Sequence, residues 1–355
     1  MEGDDLVEAR WYPTMTTLTD GRILLQGGRD AVAENGVYTP EIYTPGQGSA
    51  LLTGATSQKV YDNNGKQWWY PRSWVAPNGE VFGITNDDMY YLDPEGDGSI
   101  TLAGTFSGRN RGDTSTAVMY DRGKIMQVGG ERLSNEATII DINGETPVLS
   151  SAGTTNYQRV WADSTVLPDG TVFVSGGSTR DNVAEGVAYA AEIWNPKTNT
   201  WTVVDSAAVP RLYHSTSLLL PDGTVLTAGG TTLGLDSEAL SGEIYRPAYL
   251  YDEDGNLAER PTISSQESLV SWGQSLNATV GAGQKIDRVS LVSFGAVTHS
   301  FDMGQRFLEL DFTQSGDRLT IETPESANVA PPGFYMVFAM NEQGVPSEAQ
   351  IVQIA

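Results

Sequence analysis

The sequence predicts an all-β chain, a β-propeller followed by an immunoglobulin-like β-sandwich. Three observations carry that expectation. A hairpin built on an Asp-Gly or Asn-Gly turn, stretched to Asp121-Arg-Gly123 in the third copy, recurs five times before Asp252. A second strand motif ending in proline recurs in phase with it. After Pro261 both repeats stop, and short strands of alternating polarity take over.

The five hairpins read "WYPTMTTLTDGRILLQGG" from Trp11, "YPRSWVAPNGEVFGI" from Tyr70, "DTSTAVMYDRGKIMQVGG" from Asp113, "WADSTVLPDGTVFVSGG" from Trp161 and "YHSTSLLLPDGTVLTAGG" from Tyr213. Each is an apolar strand, a tight turn, a second strand and usually Gly-Gly. The turn glycines Gly21, Gly79, Gly123, Gly170 and Gly223 supply the positive φ that a two-residue hairpin requires. Their spacings are 58, 44, 47 and 53 residues, close to the ~50 of a kelch repeat. "EIYTP" at Glu41, "YYLDP" at Tyr90, "EIWNP" at Glu192 and "EIYRP" at Glu243 fit outer strands closed by a proline turn. Four strands per repeat make one propeller blade, so residues 1–252 are expected to hold about five. Residues 253–260, within the polar "YDEDGNLAERP", are expected to be a linker. Residues 261–355 contain "SLNATVGA", "IDRVSLVSF", "FLELDF", "RLTIETP", "GFYMVFAMN" and "AQIVQIA", the pattern of a sandwich of about ~100 residues.

Composition removes several functions. Twenty-one Lys and Arg stand against 45 Asp and Glu, a net charge of −24. A phosphate-binding face needs clustered basic side chains, so nucleic acid is not an expected partner. With no cysteine in the chain, thiolate chemistry and disulfides are excluded. No run approaches the ~18 apolar residues of a membrane helix, so no membrane span is expected. The opening "MEGDDLVEAR" lacks the apolar core of a signal peptide. No glycine-rich turn follows a strand and opens a helix, so no nicotinamide or flavin motif is seen. Trp68, Trp69 and Trp74 read either as core or as a sugar-stacking rim.

The chain has two histidines, His214 and His299, one in each half of the predicted architecture. On composition alone both read as hydrogen-bonded residues with no ligand, because a metal site needs a geometry that composition does not give. Repeat symmetry adds a pattern. Tyr213-His214 opens one inner hairpin and Trp11-Tyr12 opens another, and inner strands line a propeller's channel. Two phenols and two imidazoles suit a tetragonal Cu(II) site, because a bound cation lowers the pKa of a phenol from ~10.

These stretches resemble the copper radical oxidases, the galactose oxidase and glyoxal oxidase family, bacterial members especially. The likeness runs through Arg10-Trp-Tyr-Pro13, Trp69-Tyr-Pro-Arg72, Arg211-Leu-Tyr-His-Ser215, Leu220-Pro-Asp-Gly223, Val297-Thr-His-Ser300 and Gln305-Arg306. It implies a seven-bladed kelch propeller joined to an immunoglobulin-like domain whose loop supplies one copper ligand. By that likeness Tyr12 matches the radical-bearing tyrosine and Tyr213 the axial tyrosine that takes the substrate's hydroxyl proton. His214 and His299 match the two histidine ligands. The implied reaction takes an aldehyde, primary alcohol or carbohydrate and O₂ to H₂O₂, in a secreted or cell-surface protein. The alternative is a non-catalytic kelch module binding a carbohydrate or protein.

Three departures qualify the likeness. The family cross-links its radical tyrosine to a cysteine, and a Tyr-Cys thioether is impossible within this chain. About five blades are visible rather than seven, so an N-terminally truncated or incomplete sequence is expected. The tryptophan that shields the radical in galactose oxidase corresponds here to Asp30, leaving Trp69 or Trp161 as substitutes.

Overall fold

The computed structural model describes residues 5–30, 35–62, 66–107, 112–130, 134–230, 240–299 and 301–355. It is all-β. Helix among these residues amounts to short turns such as Gln58–Tyr61, whose first turn is capped by Ser57 Oγ accepting from Val60 N at 3.3 Å.

Five antiparallel sheets follow one another along the chain in simple meander order. Their innermost strands are Trp11–Thr17, Arg72–Val75, Ser115–Asp121, Val160–Val166 and Ser215–Leu219. The first four sheets have four strands, and the fifth has three described strands ending at Gly242–Tyr245. Adjacent inner strands are joined by hydroxyl pairs: Thr16 to Ser73 at 2.8 Å, Thr116 to Ser164 at 2.7 Å and Thr165 to Ser217 at 2.7 Å.

The Gly-Gly pairs explain how one blade docks on the next. Gly28, Gly130 and Gly177 donate their N–H to the carbonyls of Trp68, Arg159 and Arg211 in the following blade, at 2.7, 2.8 and 2.8 Å. A Cβ on the preceding Gly129 or Gly176 would strike that same carbonyl oxygen, so no larger residue fits.

A second repeating device was not anticipated. Arg10, Arg159 and Arg211 each turn inward to the glutamate of the "EI" motif in their own sheet. The N–O distances are 2.6 Å to Glu41, 3.0 Å to Glu192 and 3.0 Å to Glu243. Each arginine also donates to a glycine carbonyl of the Gly-Gly pair, Gly27, Gly176 or Gly229. Glu41 and Glu192 are therefore fully buried struts, while Glu243 makes the same pair with its side chain 28% exposed.

The C-terminal region forms two packed sheets. One holds Ile263–Ser264, Ser275–Val280, Arg318–Glu322 and Phe312–Ser315, and the other holds Leu269–Val270, Gln350–Ile354, Gly333–Asn341, Ile286–Ser293 and Phe307–Leu310. Leu276, Val289, Leu291, Leu319, Ile321 and Val337 fill the space between them. The stretch "FLELDF", read as one strand, is divided. Phe307–Leu310 pairs in one sheet and Phe312–Ser315 in the other, because the chain crosses the sandwich at Asp311. The expected linker makes a small turn, with Asp252 N donating to Asn256 O at 2.8 Å.

The two parts share a core. Val292, Phe307, Met336 and Phe338 of the sandwich pack with Val166, Leu167, Phe173 and Leu219 of the propeller sheets. A short ribbon, Val297–Thr298 paired with Phe301–Asp302, leaves the sandwich and reaches the inner strands Ser115–Asp121, Val160–Val166 and Ser215–Leu219. Phe301 is fully buried against Trp74, ring centroids 5.5 Å apart. Gln305 accepts from Val166 N at 2.6 Å and donates to Asp302 at 2.9 Å. Arg306 donates to Val75 O at 2.9 Å. This ribbon fixes the placement of His299.

Candidate functional site

The four residues singled out by the sequence meet at one point, where inner-strand openings face the tip of the ribbon. Tyr12 Oη and Tyr213 Oη are 2.8 Å apart and hydrogen-bonded. The His214 and His299 rings are 4.5 Å apart and perpendicular. His299 lies 4.7 Å from the Tyr12 ring and 5.0 Å from the Tyr213 ring, between centroids.

Local backbone geometry makes this convergence possible. In an extended strand, successive side chains point to opposite faces. Tyr12, His214 and His299 instead adopt left-handed φ values of 68°, 67° and 50°. Each therefore keeps its side chain beside that of the residue before it. Trp11 stacks on Tyr12 at 4.1 Å, and Tyr213 stacks on His214 at 3.9 Å. Tyr213 and His214 lie in a turn just before the strand Ser215–Leu219, not within it. Strand register equates Tyr12, Trp161 and His214, since Pro13, Ala162 and Ser215 all pair with the first glycine of a Gly-Gly.

The electrostatics suit a ligand set. Burial, then His214 and Arg72, lowers the His299 pKa to about 4, so its imidazole is neutral at physiological pH. Its Nδ1 is 2.6 Å from Thr298 Oγ1, while its Nε2 is buried without a partner. A buried unpartnered nitrogen is costly and marks a position where a cation fits. Burial and the hydrogen bond with Tyr12 push the Tyr213 phenol well above its ordinary range, making its phenolate a strong base. Beneath the site, Ser215 Oγ donates to Asp163 at 2.6 Å. Asp163 is pushed up to about 7 by burial, with the Asp302 charge adding.

Tryptophans border the cluster on two sides. Trp69 lies 4.6 Å from Tyr12, and Trp161 lies 4.8 Å from Tyr213. Trp161 is held by its indole N–H donating to Asp181 at 2.6 Å. Asp30 directly follows the strand Ile23–Arg29, and Trp11 and Trp69 are the indoles on Tyr12. Trp74 is core, Trp68 is buried, and Trp69 is half-buried at the site. One residue the sequence reading passed over is Tyr70. It shares the left-handed backbone, with φ of 39°, and stacks on His299 at 4.7 Å. Its signal was the repeat itself, since Trp69-Tyr70-Pro71 copies Trp11-Tyr12-Pro13. Two hollows of about 340 and 380 Å³ lie away from this cluster, between the fourth and fifth sheets and against the sandwich.

A propeller that receives an imidazole from an appended sandwich, beside a Tyr-His pair and a second tyrosine, defines the class of architecture. Comparisons with known proteins agree. Residues 260–354 match the galactose oxidase-like early set domain. A galactose oxidase of Gibberella zeae is 33% identical over 386 aligned residues, covering 99% of this chain and 55% of the relative. An aldehyde oxidase of Vitis pseudoreticulata is 29% identical, covering 99% of this chain and 73% of the relative. A fungal alcohol oxidase of the AA5 family, solved in complex with copper, superposes with a TM-score of 0.90 at 28% identity, covering 99% of this chain and 76% of that one. These likenesses support the copper radical oxidase family, to which the galactose and aldehyde oxidases among the chain's relatives point. The chain spans little more than half the length of the galactose oxidases it matches. Among the described residues, no helix is long and apolar enough to cross a membrane.

Proposed function

We propose that Tyr12, Tyr213, His214 and His299 hold one copper ion, and that the protein belongs to an oxidase of aldehydes, primary alcohols or carbohydrates. The observation that carries this reading is the unpartnered, buried Nε2 of His299, on a ring whose centroid lies 4.7 and 5.0 Å from the two phenol rings and 4.5 Å from the second imidazole. Neutral imidazole and phenolate are the donors that a borderline Cu(II) ion accepts. The ion, when bound, supplies a one-electron acceptor and lowers the phenol pKa values. The remaining roles fall to the chain. Tyr213, hydrogen-bonded to Tyr12 at 2.8 Å, would accept the substrate's hydroxyl proton once the ion has made it a phenolate. Tyr12, enclosed by Trp11 and Trp69, takes the second oxidising equivalent. His214 lies on the exposed side of the cluster, where substrate and O₂ enter.

The test is a Cu(II) titration of the parent and of His214→Ala and His299→Ala, with peroxide release measured on glyoxal, methylglyoxal, galactose and simple primary alcohols. Tight binding lost in both variants supports the reading. Variants that bind as tightly as the parent overturn the ligand assignment.

A further inference from the structure

One arginine beside the site differs from the other arginines that are not on the surface. Arg10, Arg159, Arg211 and Arg288 hold carboxylates, and Arg72 and Arg306 hold backbone carbonyls. Arg29 is half-buried, yet among the described residues no carboxylate lies within ion-pair distance of it, and its Nε is buried without a partner. What it touches instead is aromatic. Its guanidinium carbon lies 4.4 Å from the Trp11 ring centroid and 5.3 Å from that of Trp68. Indole faces attract the cation, but they leave its in-plane N–H donors unused.

The backbone holds this group in place. Arg29 ends the strand Ile23–Arg29, its Cα opposite that of Trp11, and Gly36 bridges it on the other side. Both indoles lead to Tyr12. Trp11 is 42% exposed and stacks on Tyr12 at 4.1 Å. Trp68 packs 5.5 Å from Trp69, which lies 4.6 Å from Tyr12. The guanidinium is thus one indole removed from the Tyr12 ring. The other cation on this aromatic surround, Lys66 at 5.0 Å from the Trp69 centroid, is already paired with Asp113 at 3.1 Å. A net charge of −24 repels anions at long range, so an anion reaching the site needs a local cation. A planar fork of N–H donors matches a carboxylate with two parallel bonds.

We propose that Arg29 is a specificity-determining residue that pairs with a carboxylate on the substrate, so that the site takes small alcohols or aldehydes bearing an acid group. This rests on the oxidase reading for its function, but the carboxylate site is a property of the metal-free protein.

The experiment uses the whole metal-free chain and two probes, glycolate and its neutral amide, glycolamide, with binding read by saturation-transfer NMR on the probe's methylene protons. The parent should bind glycolate about 10–100-fold more tightly than glycolamide, the worth of a charge-assisted pair. Arg29→Gln should lose that margin. Arg29→Lys should bind glycolate more weakly than the parent but keep the preference, and Arg246→Gln, at an exposed arginine elsewhere, should match the parent. Equal binding of the two probes by the parent overturns the proposal. So does an Arg29→Gln protein with the parent's melting midpoint and the parent's affinity, or an Arg29→Lys protein with no preference. Location is read in the Cu(II)-loaded protein without O₂, where the ion should speed relaxation of the glycolate methylene protons in the parent and not in Arg29→Gln. Glycolate that binds the loaded parent without faster relaxation overturns the substrate role. A parent that binds no copper, yet holds glycolate through Arg29, overturns the copper reading and leaves the carboxylate site standing.

Discussion

Replacing Arg159 by methionine tests the strut that repeats through the propeller. The Arg159–Glu192 pair is fully buried on both sides, at 3.0 Å. Arg159 also donates to the Gly176 carbonyl at 2.6 Å and the Ala190 carbonyl at 2.5 Å. Methionine fills part of the volume but leaves Glu192 as an uncompensated buried charge, at a cost of ~3–5 kcal/mol. The two orphaned carbonyls add to this, each ~1–3 kcal/mol where no water reaches it. Asn156 offsets part of the loss, since its N–H and side-chain amide still donate to Glu192 at 2.7 and 2.9 Å. A net loss of about 4 kcal/mol is expected from these terms. The control is Arg122→Ala, which breaks a pair whose side chains are 47% and 63% exposed and should cost under ~1 kcal/mol. Urea unfolding followed by tryptophan fluorescence reads both. Adding Glu192→Leu to Arg159→Met should recover much of the loss, because the stranded charge goes with it. A loss no larger than that of Arg122→Ala would refute the strut.

Three further expectations follow from the same geometry. Asp163, pushed up to about 7 by burial, binds more protons folded than unfolded between about pH 4 and 7. Stability of the metal-free protein should therefore fall as pH rises through that window, by as much as about 4 kcal/mol, and Asp163→Asn should remove that share of the slope. Copper held by His214 and His299 would bridge two parts of the chain. At a free concentration of about 100 times Kd it stabilises by ~2.7 kcal/mol, or about 4 °C at ~2.1 cal/mol/K per residue. Calorimetry that shows no rise in the midpoint, or the same rise in His299→Ala, rejects the bridge. Finally, the chain holds no cysteine, so Tyr12 gains no thioether and its radical should be harder to form. Peroxide release by these 355 residues alone should be small, and vigorous turnover would show that the oxidation does not depend on a cross-link.

The propeller was legible because its rules are local. Gly21, Gly79, Gly123, Gly170 and Gly223 mark turns that only a positive φ satisfies, and all five adopt one. The Arg–Glu struts were not legible, although both halves stood in the sequence. Arg10 and Glu41 are separated by 31 residues, and Arg159 and Glu192 by 33, distances no strand or helix period links. The glutamates were seen as part of a motif, the arginines as part of another, and only the sheet joins them. "FLELDF" misled for a related reason. Its alternation is continuous, but the two ends serve different sheets.

The site was legible in its residue types and hidden in its backbone. Scarcity drew attention to His214 and His299, and repeat symmetry to Tyr12. Nothing in β-propensity suggests that an aromatic residue at the mouth of a strand should be left-handed, a conformation costing of order 1–3 kcal/mol outside glycine. Yet Tyr12, Tyr70, Trp161, His214 and His299 all adopt it; Tyr12, Tyr70 and His214 pack ring to ring around His299, and Trp161 joins them through Tyr213. The Tyr213-His214 neighbours depend on it directly. With ordinary extended φ they would point to opposite faces, and one of the two would leave the cluster. The arrangement persists because what surrounds it is fixed: interblade carbonyls on the Gly-Gly pairs, buried arginines behind the strand openings, and a ribbon pinned by Gln305 and Arg306. The struts and the ribbon hold the strained openings that gather the four side chains, so loss of a strut should loosen the site before it unfolds the sheet.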